Sequence, residues 1–278
     1  MISVKNLHFT YPKETSATLK GLSFEIAEGE VFGLLGPSGS GKSTTQKILM
    51  GLLRNFSGEA NIFGQPVGSQ GRDFYERIGV SFELPTLYLR LTAAENLRLF
   101  AALYDRPTRD INDVLALVDL ADDANKRVEA FSKGMKMRLN LCRSLLHDPD
   151  VLFLDEPTTG QDPARARMTR ELILRLKSEG KTIFLTTHNM AEAGEVCDRV
   201  AFLTKGHIPV IGTPDALKRQ YGRRELQVKT DGQDYSYPMD DIGKNADFLK
   251  VLRNDDVISL HTQEASLDDV FIKATTDA

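Results

Sequence analysis

The chain has 278 residues, 41% hydrophobic and 27% charged, with 35 basic against 39 acidic side chains and a formal net charge of −4. That balance excludes a disordered or collagen-like chain and leaves room for one large domain with an appendage. A net negative field repels nucleic acid, so any function there would need a local basic patch.

No apolar run approaches the roughly 18 residues that cross a bilayer, and the start MISVKNLHF lacks a basic stretch followed by an apolar leader. The expectation is a chain that stays in the cytoplasm unless a partner tethers it. Cys142 and Cys197 stand far apart and outside any CxxC spacing, so they read as reduced, partly buried thiols.

In chain order, ISVKNLHF and TLKGLSFEIAEGE read as strands joined by turns, forming an antiparallel layer. Short β-branched runs then alternate with helical patterns. VFGLLG precedes KSTTQKILMGLL, VLFLDE precedes ARARMTRELILRLKSEG, TIFLTTH precedes NMAEAGEVC, and RVAFLT follows. Such alternation predicts a parallel sheet with helices on its faces. Between about 84 and 147 the pattern turns helical, with Thr92 and Glu95 spaced as a capping box ahead of NLRLFAALY and with INDVLALVDL in helical period. This predicts a helical insertion between two strands.

A second change comes near residue 213, where Thr213 and Pro214 start a short helix that Gly222 can stop. Beyond it lie ELQVKT, a turn at Asp231 and Gly232, QDYSY, a helix near DFLKVLR, the strand-like VISLHT and a last helix capped by Ser266. On that helix Asp268, Asp269 and Lys273 read as a solvated face. The predicted division is a large domain over 1–220 and a small α+β appendage over 221–278.

The strongest chemical signal is GPSGSGKS, which follows the strand VFGLL and opens a helix, the context that the G-x-x-x-x-G-K-[ST] pattern requires. Gly36, Pro37, Ser38, Gly39, Ser40 and Gly41 form a loop whose N–H groups can turn toward one anion. Lys42 adds a point charge for the β- and γ-phosphates, and the Ser43 hydroxyl can ligate Mg²⁺, with Thr44 beside it. VLFLDEP delivers Asp155 and Glu156 at the C-terminal end of a buried strand, where open α/β sheets keep their ligands. Asp155 is placed to hold Mg²⁺ through water, and Glu156 to orient or deprotonate a water attacking the γ-phosphate. FSKGM places Ser132 and Gly134 at a helix start, and TTGQDP places Asp162 before Pro163 as a cap and first-turn pair. His188 ends the strand TIFLTTH. Each of these three is commonplace alone.

Together, over about residues 1 to 220, the motifs resemble the nucleotide-binding subunit of ATP-binding cassette (ABC) transporters, in the family's order. GPSGSGKS looks like its Walker A loop, VLFLDE its Walker B strand with the catalytic glutamate, FSKGM its signature, TTGQDP its D-loop and TTH its switch histidine. Tyr11 in FTYP looks like the aromatic that stacks on adenine. The flavour is that of ABC-2 type exporters, which carry a small C-terminal appendage and in which such tails contribute to dimer contacts. Two departures stand out. Lys133 and Met135 replace a glycine and a glutamine of the usual signature, and Glu83 in VSFELPTLY occupies the Q-loop position.

The resemblance implies a P-loop NTPase core in which ATP and Mg²⁺ are sandwiched between the loop of one chain and the signature with Ser132 and Gly134 of another, as a homodimer or heterodimer, with Asp162 of the D-loop also at the nucleotide. It implies metal contacts from Ser43, Asp155 and Glu83, a water positioned by Glu156, and γ-phosphate contact from His188. Integral membrane permease subunits would tether the chain to the cytoplasmic face of the membrane, with a permease helix received where LPTLYLRLT meets the insertion. Drug export, of the fluoroquinolone-exporter kind, is the cargo implied by the type of relative. The competing reading is a soluble ABC-type ATPase acting on ribosomes or nucleic acid. A single cassette, no long coiled-coil insertion and net negative charge count against it.

Overall fold

The computed structural model describes residues 1–221, 225–263 and 265–276, and they fall into two compact units, 1–211 and 212–278. The first unit begins with β1 (Ile2–Phe9), β2 (Leu19–Ile26), β3 (Val31–Leu35), α1 (Lys42–Leu49), β4 (Phe56–Ile62) and β5 (Gln65–Pro66). It continues through α2 (Arg72–Tyr75), β6 (Ile78–Ser81), α3 (Ala93–Ala101), α4 (Ile111–Ala116), α5 (Lys133–Leu145) and β7 (Val151–Asp155). α6 (Pro163–Ser178), β8 (Thr182–Thr187), α7 (Met190–Val196), β9 (Arg199–Thr204) and β10 (His207–Gly212) complete it.

Two sheets organise this unit. One is four-stranded and antiparallel, in the order β2-β1-β4-β5. The other is six-stranded, in the order β10-β9-β3-β8-β7-β6, with parallel pairing from β9 through β6. β3, β7 and β8 are buried at every position, as strands covered on both faces must be. The antiparallel layer is legible in the sequence as two strands; β4 and β5 are not, because FSGEANI has little apolar alternation and buries only Ala60 and Ile62. The layers meet through aromatic rings. Phe24 of β2 stacks on Phe32 of β3 at 5.3 Å and on Phe184 of β8 at 6.1 Å, so the antiparallel layer is fastened to the strand that carries the phosphate-loop pattern and to its neighbour.

The insertion is helical as expected. Thr92 and Glu95 form the capping box of α3, Asp110 caps α4 and Ser132 caps α5. α5 lies so close to β6 that a Cβ on Gly79 would fall 2.1 Å from the Ser144 carbonyl oxygen. Glycine at that position sets the depth of the signature-bearing helix on the sheet.

The second unit holds α8 (Pro214–Tyr221), β11 (Glu225–Thr230), β12 (Asp234–Pro238), α9 (Ala246–Asn254), β13 (Val257–Gln263) and α10 (Leu267–Thr276). Its sheet runs β12-β11-β13, antiparallel throughout. Leu226 and Val228 cluster with Phe248 and Val251 of α9, while α8 packs on α10. α8, expected at the end of the first domain, groups with the second unit, where it packs on α10. Ser266 caps α10 as expected, exchanging hydrogen bonds with Asp269. The predicted stop at Gly222 lies outside the described residues.

Candidate functional site

The loop between β3 and α1 is built for an anion. Gly39 and Gly41 adopt φ of 79° and 113°, and α1 starts at Gly41 without a side-chain cap. Most other helices of the unit are capped by a Thr, Asp, Ser or Asn side chain. The first-turn N–H groups of α1 thus remain uncapped by the chain, at the positive end of a helix dipole. Gly36 is required for another reason, since a Cβ there would lie 2.1 Å from the Leu203 carbonyl oxygen of neighbouring β9. Lys42 folds back over the loop, donating to the carbonyls of Gly36 at 2.7 Å and Pro37 at 3.0 Å. Ser40 is buried and its hydroxyl has no partner.

The C-terminal ends of β7 and β8 face this loop. Ser43 donates to Asp155 at 3.2 Å, and Thr186 of β8 donates to the other Asp155 oxygen at 2.5 Å. Glu156 takes φ of 49°, a left-handed conformation that costs a non-glycine residue energy and that its contacts must hold. Its N–H donates to the Thr186 carbonyl at 2.8 Å, one carboxylate oxygen accepts from Thr187 at 2.9 Å, and the other accepts the His188 N–H at 3.0 Å and meets the His188 ring Nδ1 at 2.6 Å. Burial pushes the Asp155 carboxyl up, against the pull of the Thr186 and Ser43 hydrogen bonds. Burial likewise lowers Lys42, opposed by Glu156, Asp155 and Glu83.

Tyr11, Ser38, Gly39, Gly41, Lys42, Ser43, Thr44, Glu83, Asp155, Glu156 and His188 all line one cleft of 530 Å³, a size that suits a nucleotide. Tyr11 is pinned there by a 3.0 Å hydrogen bond between its hydroxyl and that of Thr44, and by Phe9 edge-on at 4.8 Å. Sequence reasoning missed Thr18, Lys20, Lys205 and Gly206, which also line it. They come from the start of β2 with the residue before it and from the turn after β9, tied by a hydrogen bond from Lys20 N–H to the Gly206 carbonyl at 2.8 Å, and carry no motif. Ser132, Gly134 and Asp162 do not line the cleft. They gather instead on a second patch. Ser132 caps α5 by accepting the Met135 N–H, Asp162 caps α6 by accepting from Ala164 and Arg165, and a Cβ on Gly134 would come within 2.9 Å of the Gly160 carbonyl.

Among known proteins, residues 19–159 match the ABC transporter family, and residues 224–264 match the fluoroquinolone efflux ABC transporter C-terminal domain. A fluoroquinolones export ATP-binding protein of Mycobacterium tuberculosis is 50% identical over 280 residues, covering 99% of this chain and 93% of that protein. Nod factor export ATP-binding protein I of Rhizobium meliloti is 44% identical over 203 residues, covering 72% of this chain and 61% of that one. A solved ATP-binding subunit of an ABC transporter superimposes with a TM-score of 0.75 at 27% identity, covering 99% of both chains. A dimeric ATP-binding cassette in a post-hydrolysis state with ADP and Pi does so at 0.70 and 27%, over 77% of this chain and 98% of that one. With an uncapped glycine loop facing paired carboxylates, and with identity that runs nearly from end to end, the chain belongs to the ATP-binding subunits of ABC transporters.

Proposed function

We propose that this chain is the ATP-hydrolysing subunit of an exporter, and that it works as one of a pair of cassettes beneath separate membrane subunits. The observation that carries the reading is the placement of Glu156. Its buried carboxylate sits in the cleft beside Asp155 and joined to His188 at 2.6 Å, opposite a loop that can bind phosphates. In this reading the loop N–H groups and Lys42 hold the phosphates, and Tyr11 offers its ring to the base. Glu156 orients the attacking water and takes its proton, and His188, with 62% of its side chain exposed, contacts the terminal phosphate.

The chain's own metal donors are hard oxygens. Ser43 Oγ and Asp155 Oδ2 stand 3.2 Å apart, and among the described residues no cluster of three or more His, Cys, Asp or Glu side chains can hold a metal. That suits Mg²⁺ bound chiefly by phosphate and water. Ser43, Asp155 and Glu83 would hold it, and when bound it neutralises charge on the β- and γ-phosphates.

Ser132, Gly134 and Asp162 do not line the cleft of their own chain; in this reading those residues of a second cassette complete the phosphate contacts. Hydrolysis then removes the charge that draws the two together. An apolar trough of 420 Å³ at the insertion, lined by Leu52, Tyr75, Phe100, Leu103 and Tyr104, is the seat for a helix of the membrane subunit. Leu103 in that lining is 64% exposed, and no residue of LPTLYLRLT lines the trough. Among the described residues no helix is long and apolar enough to cross a membrane; in this reading the membrane subunit tethers the chain at the cytoplasmic face. Fluoroquinolone-type antibiotics are the proposed cargo class, on the strength of the mycobacterial relative and the match of the second unit. The test is Glu156→Gln. It should bind ATP, run as a dimer with the nucleotide, and turn over about a thousandfold more slowly. Retained turnover removes Glu156 from the role.

A further inference from the structure

Glu192, in the first turn of α7, is 2% exposed and belongs to no motif so far assigned. Thr158, in the loop that follows Glu156, donates to its Oε2 at 2.8 Å. The remaining contacts close a ring. Glu192 N–H donates to the Asn189 side chain at 3.1 Å, Asn189 N–H donates to the Thr187 hydroxyl at 3.0 Å, and that hydroxyl donates to Glu156 at 2.9 Å. From Glu156 the chain runs two residues forward to Thr158, which closes the ring. The ring therefore links the loop bearing Glu156 with the one bearing His188, and Glu192 is its only carboxyl besides Glu156.

Resting on the assignment of Glu156 as the base, we propose that Glu192 is a positioning residue, whose buried carboxyl anchors Thr158 and thereby holds Glu156 in register with His188 and the cleft. Elsewhere in the loop the Gln161 side chain donates to the Pro157 carbonyl at 2.9 Å and accepts from Thr169 of α6 at 2.9 Å, and backbone bonds run from Thr159 N–H to the Glu156 carbonyl and from Gln161 N–H to the Thr158 carbonyl, both at 3.1 Å. These contacts are local or steady the far end of the loop, whereas the Thr158 hydroxyl ties it to α7 through Glu192. The left-handed backbone of Glu156 costs energy, so loosening the loop beside it favours an ordinary conformation and strains the direct contacts to Thr186, Thr187 and His188.

The charged and titratable groups around Glu192 are Glu156 from the end of β7, Arg170 from α6, Glu195 from its own helix and the buried Cys197 thiol. Arg170 is engaged by Glu195 at 2.6 Å. Burial, with Glu156 adding to it, pushes the Glu192 carboxyl up to about 7. It is mostly uncharged below neutrality, and glutamine is then its closest isostere, with the same acceptor for Thr158.

The test is steady-state ATP hydrolysis by the full chain with Mg²⁺ at pH 6.5, comparing Glu192→Ala, Thr158→Val, the double variant and Glu192→Gln. Removing either side of one buried hydrogen bond should lower kcat about tenfold with KM for ATP unchanged, the double variant being no slower than the singles. Glu192→Gln should restore kcat to within about threefold of the parent. Thr158→Val keeps the test valid if Glu192→Ala fails to fold. Unchanged kcat in Thr158→Val, a fall in kcat matched by a rise in KM, or a Gln variant as slow as the Ala variant overturns the proposal. A parent chain without turnover would remove the proposed function and this role together; parental turnover with any of the three outcomes removes only this role.

Discussion

Glu192→Gln also gives a stability measurement whose sign depends on pH. The folded protein holds the Glu192 proton to about pH 7, whereas an unfolded glutamate releases it near 4.5. The folded-state value is raised, so the stability linked to this proton is complete below the unfolded value and is lost as pH rises through the folded one. At one pKa unit per 1.36 kcal/mol the full loss is about 3 kcal/mol, and roughly 2 kcal/mol of it falls between pH 5.5 and pH 8. Glutamine does not titrate. Its own cost, an amide group placed where Oε1 has no partner, is the same at both pH values. The difference in unfolding free energy between variant and parent should therefore move by about 2 kcal/mol in the variant's favour from pH 5.5 to pH 8, or by about 1 M in urea midpoint. Urea unfolding followed by circular dichroism at the two pH values, at equal ionic strength, measures it; the other groups titrate alike in both proteins and cancel. An equal difference at both pH values would refute the reasoning, because it would mean that Glu192 is ionised in the folded state throughout.

Gly79→Ala should destabilise the first unit by about 3 kcal/mol or more in urea unfolding, since the added Cβ would sit against the backbone of α5, which cannot rotate away as a side chain can. A loss under about 0.5 kcal/mol would show that α5 shifts freely on the sheet. Glu83→Gln removes a negative charge from the cleft, so the Mg²⁺ concentration for half-maximal ATP turnover should rise about fivefold, the equivalent of about 1 kcal/mol. Superimposable Mg²⁺ titrations would place Glu83 away from the metal.

What the sequence by itself determined is what depends on neighbours in the chain. A phosphate cradle is made of consecutive N–H groups and the first turn of one helix, so GPSGSGKS after VFGLL identifies it without any tertiary information. The buried runs VLFLD and TIFLTT declare strands covered on both faces, and with them the end of the sheet where Asp155, Glu156 and His188 emerge. Capping residues at Thr92, Ser132, Asp162 and Ser266 are local for the same reason.

Only the tertiary structure decided the contacts that join distant segments. It brought Thr18 and Lys205 to the cleft, gave Tyr11 its anchor on Thr44, and set Ser132 and Gly134 on a patch apart from the loop of their own chain. It also closed the ring from Glu156 through Thr187 and Asn189 to Glu192. A solitary glutamate on an amphipathic helix reads as solvated until packing shows that it is buried and that a threonine 34 residues away points at it. Side-chain direction across a sheet depends on register and on how deep each helix lies, quantities set by the whole core and written in no single stretch of residues.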